Sequence, residues 1–273
     1  MRLFYWLLLI AANVTGVAWG AEYVMICQEG GQFGSQMFSY AMVPEIEVDQ
    51  TTFQCLPYIG KNGAPLPYVK GNVCLCSTSH ELSYFHEYRE KIRELFGPSD
   101  VVIAELKEKY DFILNHPKTV AVHVRTYHPI LLKHCCLGSD YYQNALNQFD
   151  EDHLFVIFSD RIEWCKKHLD LQGKNAIFIE GNHHILDFYL MNYCKNIITS
   201  NSTFSWWAAY LKKDPSGLII APKRWFYDPY DSDPYVNRIT KQFYPKEWII
   251  LPAASPSRDY NLLEFDTTSI DEQ

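Results

Sequence analysis

His123 and Arg125, two apart at the end of Val120-Ala-Val-His-Val-Arg125, are the first residues whose types and spacing suit chemistry. In an extended strand, side chains two apart point to the same side. A guanidinium there suits an anion, because it holds phosphate oxygens through paired donors and keeps its charge. The plain alternatives are a strand-end salt bridge for Arg125 and a satisfied core histidine for His123. Asp160 ends a second apolar run, where its carboxylate can accept from a base N–H or a sugar hydroxyl. A third candidate is Asn201-Ser-Thr-Phe-Ser-Trp-Trp-Ala-Ala-Tyr-Leu211. Its hydroxyls, with the free N–H groups of a helix start, make an anion site, or else a serine cap ahead of an aromatic core helix. Asp187 falls early in a helical pattern and reads as a complement to the helix dipole.

These residues need a frame. From Thr119 onward strands and helices are predicted to alternate, with strands at Thr119–Val124, Leu154–Ser159, Ala176–Ile179, Asn196–Ser200 and Leu218–Ala221. The helices between them are Asp140–Phe149, Ile162–Leu169, Ile185–Cys194 and Thr203–Lys212. Apolar strands alternating with helices signal a parallel α/β sheet, where ligands sit at the carboxyl ends of strands. His123, Arg125, Asp160, Asn201 and Ser202 all fall there. Upstream, the strand Tyr23–Cys27 leads through Gly30-Gly-Gln-Phe-Gly34 into a helix near Ser35, a turn that lets backbone approach a ligand. Residues 43–72 are rich in Pro and Gly and read as loop. Phe85, Tyr88, Ile92 and Leu95 recur at helical spacing up to Gly97-Pro98. Ser99 then caps a helix with Val102, Leu106, Tyr110 and Ile113 on its buried stripe. The α/β fold expected is two Rossmann-like halves facing across a cleft, a small one at 22–116 and a larger one at 117–252, with a tail at 253–273.

At 273 residues the chain can hold one large or two modest cores. Its formal charge of −8 speaks against broad nucleic-acid binding, since no excess of Lys and Arg replaces counterions. Arg2 precedes an apolar run from Leu3 to Trp19, and Ala18-Trp19-Gly20 resembles a cleavage site. Residues 1–21 are expected to be a signal peptide or a membrane anchor, placing the rest in the secretory pathway or at a membrane, on the lumenal or extracytoplasmic side. The eight cysteines show no Cys-x2-Cys spacing, so no structural metal is expected. Asn201-Ser-Thr203 is formally a glycosylation sequence but is rejected as one, because it lies in the proposed pocket.

Five segments, taken in order, resemble the α-1,2-fucosyltransferases, glycosyltransferase family eleven. They are Gly30–Ala41, Val120–Arg125, Phe158-Ser-Asp-Arg-Ile-Glu-Trp164, the Trp-Trp segment and Ile220-Ala-Pro-Lys-Arg-Trp-Phe226. The resemblance implies a GT-B-like fold and inverting transfer of L-fucose from GDP-fucose to a galactoside 2-hydroxyl. It implies no obligatory metal and no cofactor beyond the donor. Partners are then the nucleotide sugar and a galactose-containing glycan. Arg125 and His123 become the catalytic candidates, and Gly31, Gly34, Ser35, Gln36, Asp160, Asn201, Ser202, Thr203 and Ser205 the donor-binding ones. The family segment reads His-x-Arg-Arg followed by an acid, whereas here Thr126 replaces the second arginine and His128 stands where the acid would be. Ser35 likewise replaces an asparagine. These departures motivate the alternative of a catalytically degenerate sugar-nucleotide- or glycan-binding member; an unrelated nucleotide-binding α/β protein is a third reading.

Overall fold

The structure, a computed structural model, describes residues 9–11, 23–26, 37, 54–56, 73–75, 82, 85–126, 134–135, 137–171, 173–212, 214–226 and 243–253. By contacts the chain divides into two units, Met1–Pro98 with Lys241–Pro245, and Ser99–Thr240 with Lys246–Gln273.

In the first unit, β1 (Leu9–Ala11), β2 (Tyr23–Ile26), β3 (Gln54–Leu56) and β4 (Val73–Leu75) form a sheet in the order β1-β2-β4-β3. β1 is antiparallel to β2, and the other pairs are parallel. Two expectations change here. Residues 9–11, set outside the fold as part of a signal or anchor, supply an edge strand. The segment read as loop contains β3, only three residues long, which flanking prolines and glycines hide from pattern reading. No helix among the described residues is long and apolar enough to cross a membrane. A 3-10 turn at His86–Tyr88 enters α1 (Arg89–Leu95), with Phe85 and Ile92 fully buried. Leu95 is 54% exposed rather than buried, because it ends the helix.

The second unit opens with α2 (Asp100–Leu114), capped as expected: Ser99 Oγ accepts from the Val102 N–H at 3.5 Å. Leu106 and Ile113 are buried. α2 packs on the later helix α5 (His184–Tyr193), so its contacts group it with the second unit and not with the expected 22–116 half.

The second sheet holds β5 (Thr119–Val124), β6 (Leu154–Ser159), β7 (Asn175–Phe178), β8 (Asn196–Ile198), β9 (Ile219–Pro222) and β10 (Ile249–Leu251). Its order is β10-β9-β8-β5-β6-β7 and every pair is parallel. Between the strands run α3 (Ser139–Leu146), α4 (Ile162–His168), α5 and α6 (Thr203–Tyr210). All six residues of β5 are buried, which is why it reads as an unbroken apolar run. The chain goes outward from β5 through β6 to β7, then returns to lay β8 on the other side of β5. That is the doubly wound order, and its switch point lies between β5 and β8. β10 was not foreseen: it is a short, half-exposed edge strand stopped by Pro252. Trp206, Trp207 and Tyr210 of α6 are fully buried, and Trp206 stacks on Tyr210 at 4.7 Å and meets Trp207 edge-on at 5.0 Å. The Trp pair is core.

Candidate functional site

At the switch point a side-chain bond joins β5 to the segment that follows β8: His123 Nδ1 lies 2.9 Å from Ser200 Oγ. His123 is 6% exposed, and its ring meets Phe204 at a centroid distance of 5.6 Å. Burial first, and then the neighbouring Arg125 charge, lower its pKa from 6.5 to about 3. A ring so weakly basic is neutral at working pH and ill matched to proton transfer. In this structure His123 is a buried, hydrogen-bonded strut of the switch point. The sign of its pH effect is definite. Below about pH 6.5 the unfolded chain takes up a proton that the folded chain refuses until about pH 3, so stability falls as pH drops through that window. The slope reaches at most ~1.4 kcal/mol per pH unit. His123→Gln removes this term, and its melting temperature is expected to fall less steeply from pH 6.5 to 4 in a series of thermal melts. An unchanged slope would mean that His123 titrates normally in the fold.

Arg125 and Thr126 leave β5 toward Asp160 at the end of β6. Arg125 Nη1 sits 3.0 Å from Asp160 Oδ2. The Thr126 N–H and Oγ1 both donate to Asp160 Oδ1, at 3.0 and 3.2 Å, and Ser159 Oγ donates to the same oxygen at 3.4 Å. Asp160 is thus the counter-ion that holds the guanidinium at the strand mouth, and it also lines the cavity described below. The arrangement also settles where residue 126 points. Strict alternation would turn it away from Arg125, but the chain bends after Val124 and both side chains reach one carboxylate.

The turn after β8 is built by Asn201, Ser202 and Ser205. The fully buried Asn201 amide donates to the carbonyls of Cys135 at 2.7 Å and Trp225 at 3.0 Å. That burial closes the sequon to modification in the folded chain. Ser205 Oγ accepts from the Ser200 N–H at 3.3 Å and donates to the Ser202 carbonyl at 3.4 Å. Ser202 caps α6, with Oγ accepting from the Phe204 N–H at 3.3 Å. The serine cap and the aromatic core helix are therefore both real, with Ser205 bonded within the turn and the Asn201 amide tying it to the segments of Cys135 and Trp225. Of the group, Thr203 is partly exposed at the helix N-terminus. Gly31, Gly34, Ser35 and Gln36 lie outside the described residues, as does His128.

A cavity of about 770 Å³ opens where β6 and β7 end, lined by Asp160, Arg161, Trp164, Asn182 and Asp187 among others. Gly181, at φ 76°, makes the turn that delivers Asn182 to it. Asp187 is half-buried, and burial raises its pKa against the opposing pull of the Asn182 hydrogen bond. Sequence reading set Asp187 aside as a dipole partner; the signal it missed is that an acid in the first turn after a strand end faces the ligand edge of such a sheet. Lys223 and Arg224 follow β9 at the same edge.

Two Asp-x-Asp sequences occur in the chain. Asp150-Glu151-Asp152, with His153, brings ligand atoms of the two aspartates and the histidine within 4.8 Å of one another. This group precedes β6, at the opposite end of the strand from Asp160. Asp231-Ser-Asp233 lies outside the described residues.

The model of glycosyl transferase family 11 matches residues 69–251, more than half of the chain, and the chain belongs to that family. An α-1,2-colitosyltransferase of Escherichia coli is 33% identical over 195 residues, covering 67% of this chain and 65% of that protein. The galactoside α-(1,2)-fucosyltransferase 1 of Homo sapiens is 30% identical over 166 residues, covering 53% of this chain and 43% of the relative. The chain thus spans about two fifths to two thirds of the length of these relatives. The crystal structure of NodZ α-1,6-fucosyltransferase soaked with GDP-fucose matches with a TM-score of 0.35 at 15% identity, over 51% of each chain.

Proposed function

We propose that this chain is an inverting glycosyltransferase that moves L-fucose from GDP-fucose to the 2-hydroxyl of a galactoside. The observation that carries the reading is that a charged strand end, a helix N-terminus and a cavity of about 770 Å³ lie at one edge of a doubly wound sheet, inside the family-matched region. Arg125 and the N-terminus of α6, with Ser202 and Thr203, hold the diphosphate. The cavity takes the base, where Asp187 accepts from the ring N–H and amino group of guanine. The acceptor oxygen bonds to the anomeric carbon from the face opposite the diphosphate. The C–O bond to the diphosphate breaks, GDP leaves with its electron pair, and the hydroxyl proton is released. Charge building on the departing diphosphate is what Arg125 stabilises. The relatives' names give two sugars, colitose and fucose, so the sugar is the finest part of this reading.

The test is GDP release and product linkage with the full chain, GDP-fucose and a β-galactoside. An α-1,2-linked product supports the reading; transfer to another position, or of another sugar alone, overturns its finer part. GDP binding without any turnover would favour the binding-only alternative, which rests on Thr126 standing where a second arginine is expected. Turnover is further expected to persist in excess chelator, since a guanidinium and helix N–H groups supply the positive charge. Loss on chelation with recovery on adding manganese or magnesium would contradict that.

A further inference from the structure

Asp187 is anchored from behind by two polar side chains distant in the chain. Asn182 Nδ2 donates to Asp187 Oδ1 at 2.9 Å, and Tyr110 Oη donates to Asn182 Oδ1 at 2.9 Å. Only one assignment of protons satisfies all three groups. An ionised carboxylate only accepts, so the amino side of Asn182 must face Asp187. The Asn182 carbonyl then faces Tyr110, whose hydroxyl must donate. Without Tyr110 the amide could turn over and set its carbonyl against the carboxylate. Tyr110 is also where α2 leaves helical geometry, at φ −132° and ψ 24°, although no Pro or Gly interrupts the helix. Among the described residues Asn182 is the only hydrogen-bond partner of the Asp187 carboxylate, which leaves its lone pairs beyond that bond for a ligand in the cavity it lines.

We propose that Tyr110 and Asn182 are positioning residues that fix the orientation of Asp187 and thereby set which nucleobase the cavity accepts. The favoured base presents a ring N–H beside an exocyclic amino group, as guanine does. A base lacking the amino group forfeits one of two parallel hydrogen bonds. The inference rests on the reading that the donor's base enters this cavity.

The test uses the full chain and two probes, GDP and inosine diphosphate, which lacks the amino group, titrated calorimetrically into wild type, Tyr110→Phe, Asn182→Ala and Asp187→Asn. Asp187→Asn is expected to lose GDP affinity by roughly a hundredfold, as a charged hydrogen-bond acceptor is removed. Tyr110→Phe and Asn182→Ala are expected to weaken GDP roughly tenfold and inosine diphosphate less, so the preference between the two shrinks. In turnover, the loss falls on the donor KM rather than on kcat. A general structural defect would weaken both nucleotides alike and leave the ratio unchanged. If Asp187→Asn is crippled while the other two keep wild-type affinity and ratio, the positioning role is overturned and the base site stands. If Asp187→Asn binds GDP as wild type does, the base is not in this cavity and the parent reading falls. Should Tyr110→Phe fail to fold, the nucleotide ratio of Asn182→Ala decides.

Discussion

Arg125→Ala is expected to cut sugar turnover by about 10²–10³-fold, the scale set by removing one preorganised donor from a developing negative charge. A catalytic effect is expected because Arg125 stands at the carboxyl end of β5, beside the switch point, with its guanidinium steered by Asp160 at 3.0 Å. The fold is expected to survive. The ion pair is about a quarter exposed on both sides, at 28% and 26%, and pairs of that kind contribute only about 0–1 kcal/mol. Asp160 also keeps its bonds from Thr126 and Ser159. Turnover and thermal melting measured on the same preparation separate the two effects. Full activity in the variant would take Arg125 out of the mechanism, and loss of activity together with loss of the melt would make it structural.

Trp206→Ala is expected to destabilise the chain by about 3–5 kcal/mol, the cost of emptying a large buried aromatic site. Trp206 is fully buried and packs against Trp207, Tyr210 and Trp248, at centroid distances of 5.0, 4.7 and 5.7 Å. Against a total stability of roughly 5–15 kcal/mol, such a loss leaves little folded protein. A shift of the urea midpoint would read it, with Trp206→Phe shifting less because a ring remains. A midpoint unmoved by alanine would mean that the indole does not fill the core and that its place beside the cap has another reason. Ser202→Ala provides the contrast, since a lost cap costs about 1 kcal/mol.

Hydrophobic patterning carried the second unit. β5 and β6 are buried on both faces, so they read as continuous apolar runs and their bounds were legible to the residue. β10 was not, because an edge strand of three residues with one exposed leaves no pattern, and β3 was hidden between breakers for the same reason. Residue types at strand ends revealed Arg125 and Asp160, but only coordinates showed that each is the other's partner. Asn201 and Ser205 show what sequence leaves out. Their types suggested ligand contacts, and the structure adds bonds to buried backbone groups, the carbonyls of Cys135 and Trp225 for Asn201 and the turn itself for Ser205. The cavity and the Tyr110–Asn182–Asp187 chain were invisible in sequence because they join segments tens of residues apart, and no local periodicity marks such a meeting.

The most direct measurement is a calorimetric titration of GDP into the full chain beside Arg125→Ala. Saturable one-site binding is expected for wild type, weakened by about tenfold or more when the guanidinium is removed, since a charge-assisted contact contributes roughly 1.5–3 kcal/mol. Absence of GDP binding to the wild-type chain, or equal binding by both forms, would contradict the assignment of a nucleotide-diphosphate site to this sheet edge.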